Sequence, residues 1–313
     1  MIPSTSPSNP GVGRGPGLAV IDTPLGPPGW EGARAHLVRI VDPLGRAVAW
    51  FVPDFGGICV GFAVRPSGRR EGEWIHVLHS VGPDGPRHSS GIFGLGVCYA
   101  PRSVPLEPVI ADPLGSPLPT QPWQFIERDP TAVILETTVS TDAGDYRAGA
   151  DAAVRLRLTA GLDDGALTLN LDAWHHGGEP IPLQLGFQAI FATDLFGRGI
   201  SMGLVRAPAE QVNERFVIPH STVLAPGEYE LCPCIENGMI PPISPTDQAL
   251  PPRARLIVAL GGSYRLVYPP RPNGENALAL LACAPPTSVV TPPGDARFRT
   301  GLSLTAVAND EDW

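Results

Sequence analysis

Eight side chains in this chain have types and settings that suit chemistry. Arg102 closes the apolar, glycine-rich run Gly91–Arg102 (GIFGLGVCYAPR). It is expected at a strand end, where a guanidinium can clamp a ligand hydroxyl or carboxylate through two hydrogen bonds. A salt bridge to a loop carboxylate such as Glu107 is the alternative. Gln188, like Gln184, is embedded in the apolar run Pro182–Ala192. Polar groups set in such a strand must find partners or bind something. A carboxamide donates and accepts hydrogen bonds, but it does not shuttle protons near neutral pH. Asp194 follows the same run, as a carboxylate for a ligand or as a turn cap. His175 and His176 are adjacent, so on a strand they emerge on opposite faces and do not readily form one metal site or one dyad. One of them facing a cleft would supply an acid/base near pH 7. His220 lies a few residues before Pro226-Gly227, as a loop histidine or a further acid/base. Trp123 and Trp174 suit either a ligand ring or the core. The candidate proton carriers are therefore His175, His176 and His220. The candidate substrate contacts are Arg102, Gln188, Asp194, Trp123 and Trp174.

Other chemistries find no support. No Ser-His-Asp order, phosphate loop or zinc spacing can be assembled. The five cysteines are an odd number, and Cys232-Pro233-Cys234 has no second pair to complete a zinc site. They read as free, buried thiols of a cytoplasmic protein, and neither a metal nor another cofactor is expected. The net charge is −9, with scattered acids and no basic stripe for nucleic acid. All 22 basic residues are arginine, which reads as genome-composition bias. No apolar run approaches the ~18–20 residues of a membrane helix, and the N-terminus lacks the pattern of a secretory signal. The expected partner is a small molecule, a sugar or a natural-product-like compound, bound by a monomer or homodimer.

The elements that would position these residues are strands. With 36 Gly and 38 Pro beside 43% hydrophobic residues, the composition fits many short strands and turns. The clearest pattern is Ala152–Ala192. Val154, Leu156 and Leu158 alternate with Arg155, Arg157 and Thr159, and after Leu162-Asp163-Asp164-Gly165 the alternation resumes at Leu167, Leu169 and Leu171. Alternation joined through Asp-Gly predicts a hairpin. Further strands are expected at Ala33–Val41, Ala47–Val52, Ile58–Val64, Trp74–His79, Trp123–Ile126 and Ala132–Val139. Toward the C-terminus they are expected at Val212–Val217, Arg253–Leu260, Ser263–Tyr268, Ala277–Cys283 and Thr300–Val307. The glycine-rich run from Asp194 to Gly203 reads as a loop, and a few helical turns are possible near Ala207–Arg215. Residues 1–28 read as a disordered or loosely packed arm, and 29–313 as one domain. Roughly eighteen to twenty short strands imply an all-β fold, a large sandwich of antiparallel sheets.

The order of several landmarks resembles the aldose 1-epimerase (galactose mutarotase) family. Pro53-Asp54-Phe55-Gly56-Gly57 is similar to that family's early Gly-Gly strand, and Tyr99-Ala100-Pro101-Arg102 to its Tyr-Ala-Asn-Arg, with Pro101 in place of Asn. Pro122-Trp123-Gln124-Phe125 looks like its Trp-led strand. His176-Gly177-Gly178-Glu179-Pro180-Ile181-Pro182 and Gly186-Phe187-Gln188-Ala189-Ile190-Phe191 echo its N-x-G-x-x-P-x-P and G-x-H-P-Y-F. Ala225-Pro226-Gly227 looks like its Pro-Thr-Gly turn. Ala284-Pro285-Pro286-Thr287 and Pro292-Pro293-Gly294-Asp295-Ala296 resemble its late segments. The resemblance implies a galactose mutarotase-like β-supersandwich with Gln188 pointing into the cleft.

It also implies a change of chemistry. Mutarotation in that family uses a carboxylate to take the anomeric proton and a histidine to protonate the ring oxygen, each worth about 10²–10⁴-fold. Gln188 occupies the histidine position and Ala284 the glutamate position, and the second family histidine, expected between Asp112 and Gly115, is absent. Arg102 matches the family's sugar-contacting arginine. The implied function is binding of a carbohydrate, or a similar hydroxylated or carbonyl-bearing molecule, by a protein without the mutarotation pair. An isomerase, cyclase or lyase is the first expectation. A non-catalytic carbohydrate-binding protein and an epimerase with relocated catalytic residues are the alternatives.

Overall fold

Residues that alternate in and out of a core must pair in register, and the Asp-Gly hairpin shows how that register is set. Asp163 pairs with Ala166, and the two residues between them, Asp164 and Gly165, both have positive φ (45° and 75°). Such a two-residue turn matches the twist of the flanking strands. It places Leu156, Leu158, Leu167, Leu169 and Leu171 on one buried face.

The computed structural model describes residues 18–22, 34–54, 56–65, 74–78, 95–101, 122–128, 130–140, 153–175, 181–192, 201–207, 216–217, 221–234, 254–261, 264–267, 277–282, 289–290 and 298–308. The chain begins with β1 (Leu18–Asp22), β2 (Arg34–Val41), β3 (Ala47–Val52), β4 (Ile58–Val64), β5 (Ile75–His76) and β6 (Leu95–Pro101). Next come β7 (Gln124–Arg128), β8 (Ala132–Ser140), β9 (Ala153–Asp163), β10 (Ala166–His175) and β11 (Ile181–Ala192). They are followed by β12 (Ser201–Ala207), β13 (Phe216–Val217), β14 (Ser221–Leu224) and β15 (Gly227–Cys234). The last are β16 (Ala254–Leu260), β17 (Tyr264–Val267), β18 (Ala277–Ala282), β19 (Val289–Val290) and β20 (Phe298–Ala308).

Among the described residues these strands form two antiparallel sheets and no helix. The first runs β1-β2-β3-β4-β6-β11-β18-β17-β14, with β5 beside β4 and β19 beside β11. The second runs β13-β12-β15-β16-β20-β10-β9-β8-β7. Their facing sides interdigitate as one core: Phe51, Phe62, Phe187 and Phe191 of the first sheet against Leu156, Leu158, Leu169 and Leu302 of the second. Each such side chain contributes about 1.5–3 kcal/mol when fully buried. The fold is therefore the all-β antiparallel sandwich expected from the sequence.

Ties at one end hold the sheets together. The buried Asp42 carboxylate accepts from the backbone N–H of Leu44 (3.1 Å) and of Arg46 (2.9 Å), fixing the β2–β3 turn. Arg46 then reaches Asp164 in the β9–β10 turn of the other sheet, and Val41 N donates to Pro130 O at 2.8 Å.

Three stretches differ from the sequence-based expectations. Leu18–Asp22, within the expected loose arm, pairs along β2 as an edge strand. The expected loop after Asp194 becomes strand from Ser201, because Ser201–Ala207 pairs residue for residue with β15. Strand β15 itself follows the Ala225-Pro226 turn and was not anticipated. The helical turns considered near Ala207–Arg215 fall, from 208 on, outside the described residues. No helix among the described residues is long and apolar enough to cross a membrane.

Candidate functional site

Strand β11 carries the polar residue around which the site is built. Phe187, Ala189 and Phe191 are 1% exposed or less and enter the core. Alternation therefore puts Gln188 on the opposite side of the first sheet, its outer face. Even there it is only 5% exposed. Its ladder neighbours are Gly96 of β6 and Leu281 of β18. Glycine leaves the place beside the carboxamide without a side chain. Strand β4 meets β6 at Cys59–Leu95, so Ile58 is next to Gly96 in the same row, and Val52 and Leu37 continue it. Val52 is buried with Leu37, Ile58 and Val60 packed against it. The outer face thus offers an enclosed amide donor and acceptor bordered by an apolar floor. That combination suits a ligand with both an apolar body and a hydroxyl or carbonyl.

The other described candidates stand elsewhere. His175 ends β10 on the face of Leu169, Leu171 and Ala173, is 0% exposed, and pairs across the ladder with Val154. It lies between the sheets, not on the outer face of the first. Trp174, one residue earlier, lies on the outer face of the second sheet, with the guanidinium carbons of Arg155 and Arg157 at 5.8 and 5.6 Å from its ring centre. Below it runs a row of alternating charge: Glu136, Arg157, Asp172 and Arg299 stand opposite one another on β8, β9, β10 and β20. Arg157 pairs with Glu136, and Arg299 Nε donates to Asp172 Oδ1 at 2.7 Å. That hydrogen bond, and then the carboxylate's charge, raise the Arg299 pKa. Trp123 is 4% exposed and belongs to the core. Its backbone N–H donates to Pro53 O at 2.9 Å, and its ring lies against Gly57, whose φ is +63°. Gln188, Trp174, and the interior pair Trp123 and His175 thus occupy three different settings, and the fold does not gather them. Arg102, His176, Asp194, His220 and Ala284 lie outside the described residues.

Several polar and aromatic residues not singled out from the sequence also face outward on the first sheet. Trp50 stands between Arg39 and Gly61 in the ladder, and its ring is near-parallel to His76. Arg65 sits over Trp74 at 4.7 Å. The alternation of Ala47–Val52 carries the signal for Trp50, since Ala49 and Phe51 take the core face. His36 Nδ1 and Asp54 Oδ2 are 2.9 Å apart at the sheet's end, joined across eighteen residues with no local signature. Cys59 is a free, buried thiol that donates to Gly61 O at 3.2 Å. Burial pushes its pKa up to about 12, so it is not a nucleophile near neutral pH.

No family model matches the chain, and no curated protein matches it. Solved structures do. A galactose mutarotase-like protein from Clostridium acetobutylicum aligns over 95% of this chain and 100% of its own, at 11% identity and a TM-score of 0.55. An aldose epimerase homologue from Caenorhabditis elegans aligns over 88% and 100%, at 10% identity and 0.56. A galactose mutarotase-like protein from Lactobacillus casei aligns over 86% and 99%, at 10% identity and 0.56. The chain has the galactose mutarotase-like fold.

Proposed function

We propose that this protein binds a carbohydrate, or a similar hydroxylated or carbonyl-bearing small molecule, on the outer face of its first sheet at Gln188. The observation that carries the reading is a polar side chain only 5% exposed on the side of the sheet away from the core. The mutarotase-like neighbours are compatible with it. Gln188 would orient the ligand through its carboxamide, and Arg102, Asp194, His176 and His220 remain proposed contributors. With a glutamine at the proton-donor position, proton transfer by the mutarotation pair is not part of the mechanism. Positioning and preorganised dipoles can still accelerate a feasible ring closure or opening, so an isomerase, cyclase or lyase is the first form of the proposal.

The placement of His175 favours a second reading, a carbohydrate-binding protein without turnover. That histidine lies in the core, and Trp174 lies on the far sheet. Polarimetry of α-galactose and α-glucose with purified protein tests the chemistry. A rate equal to buffer is expected, and a rate above buffer that is lost in Gln188→Ala contradicts the loss of mutarotase activity.

A further inference from the structure

The indole of Trp50 lies flat over Gly61. A Cβ at Gly61 would sit 2.9 Å from Trp50 Cε3 and 3.4 Å from Cζ3, so only glycine leaves room for the ring there. His76 lies beside it at an interplanar angle of 19°, with ring centroids 6.4 Å apart, an offset arrangement. Together they form an offset-stacked aromatic pair on the outer face, half-buried at Trp50 and exposed at His76.

Arg39 stands directly across the ladder from Trp50 and is half-buried, with its Nε enclosed and without a hydrogen-bond partner. Arg46, Arg157 and Arg299 each hold a carboxylate, but among the described residues none pairs with Arg39. A half-buried guanidinium with no carboxylate beside it among the described residues can take an anion from outside.

We propose that this surface binds an acidic sugar, with the pyranose C–H face on Trp50 and His76 and its carboxylate or phosphate on Arg39. The proposal rests on the carbohydrate reading above and adds a subsite. Trp50 and Gln188 share a face but are three strands apart, about 15 Å at ordinary strand spacing.

The test uses the full chain labelled with 5-fluorotryptophan, the Trp50 fluorine signal being assigned by its loss in Trp50→Phe. Galacturonate, glucose 6-phosphate and neutral galactose are titrated in turn. At least one acidic sugar is expected to shift the Trp50 signal with a Kd roughly tenfold below that of galactose, the worth of one charge-assisted hydrogen bond. Which acid does so identifies the anionic group. Arg39→Gln should bring acidic and neutral sugars level while the Trp50 signal persists. A Trp50 signal that neither acid moves, or a preference that survives Arg39→Gln, overturns the proposal. Galactose binding lost in Gln188→Ala beside a silent Trp50 signal refutes this subsite alone. A responsive Trp50 beside an indifferent Gln188→Ala refutes the earlier reading alone.

Discussion

Trp123 is a core residue and not a ligand platform only if its ring is held against Gly57, and one methyl group tests that packing. Gly57 has φ +63°, and an added Cβ would meet Trp123 Cδ2 at 3.2 Å, Leu135 Cδ1 at 3.3 Å and Trp123 Cγ at 3.3 Å. Alanine there carries two penalties. Left-handed backbone with a Cβ costs roughly 1–2 kcal/mol. Crowding a packed core costs about 1–3 kcal/mol more. Gly45 supplies the control, since its φ is +67° and a Cβ there meets nothing within 4 Å. Gly45→Ala should therefore cost only roughly 1–2 kcal/mol, and Gly57→Ala roughly 2–5 kcal/mol, a large share of a typical total of about 5–15 kcal/mol. Urea unfolding followed by circular dichroism measures both, as midpoint shifts at unchanged slope. Equal losses for the two variants would show that no ring lies against Gly57, and Trp123 would return to the list of exposed candidates.

Other expectations are simpler. Cys59 should resist iodoacetamide in the native protein at pH 8 and react only after unfolding, as read by peptide mass spectrometry. Its pKa is raised from 9.0 to about 12 in the fold, so its contribution to stability is complete below pH 9 and falls away between pH 9 and 12. Chemical denaturation of wild type and Cys59→Ala across that window should show the difference. Asp42→Ala removes two buried hydrogen bonds to the β2–β3 turn and should cost roughly 2–4 kcal/mol in thermal unfolding. Asp164→Asn should stay within about 1 kcal/mol of wild type, because the ion pair with Arg46 is exposed and Asn tolerates the turn's positive φ.

Local pattern made much of the fold legible. The β9–β10 hairpin, β2, β3, β4 and β8 could be read from alternation and turn residues alone, because each packs one face into the core. Strands that break the pattern were hidden. Ser201–Ala207 contains Gly203 and follows a glycine-rich run, and β15 contains Pro233. That proline is accommodated because the pairing of β15 with β16 ends at Leu231, leaving one side of the ladder open beyond it. Leu18–Asp22 is surrounded by Pro and Gly, and only its partner β2 makes it a strand. That β6, β11 and β18 lie side by side has no local signature at all.

The site was legible to a similar degree. A glutamine in an apolar strand was visible, but its outward face follows only from Phe187 and Phe191 entering the core. The adjacency of His175 and His176 told that they diverge without telling which enters the interior. Trp50 and Arg39 become neighbours only through the β2–β3 ladder.

The most direct measurement is isothermal titration of galactose, galacturonate and a panel of hydroxylated lactones into wild type and Gln188→Ala, with both folds checked by circular dichroism. At least one compound should bind wild type and lose about tenfold or more in the variant, as expected when an enclosed polar contact is removed. Undiminished binding by a folded Gln188→Ala protein would place the ligand elsewhere and contradict the assignment of this face.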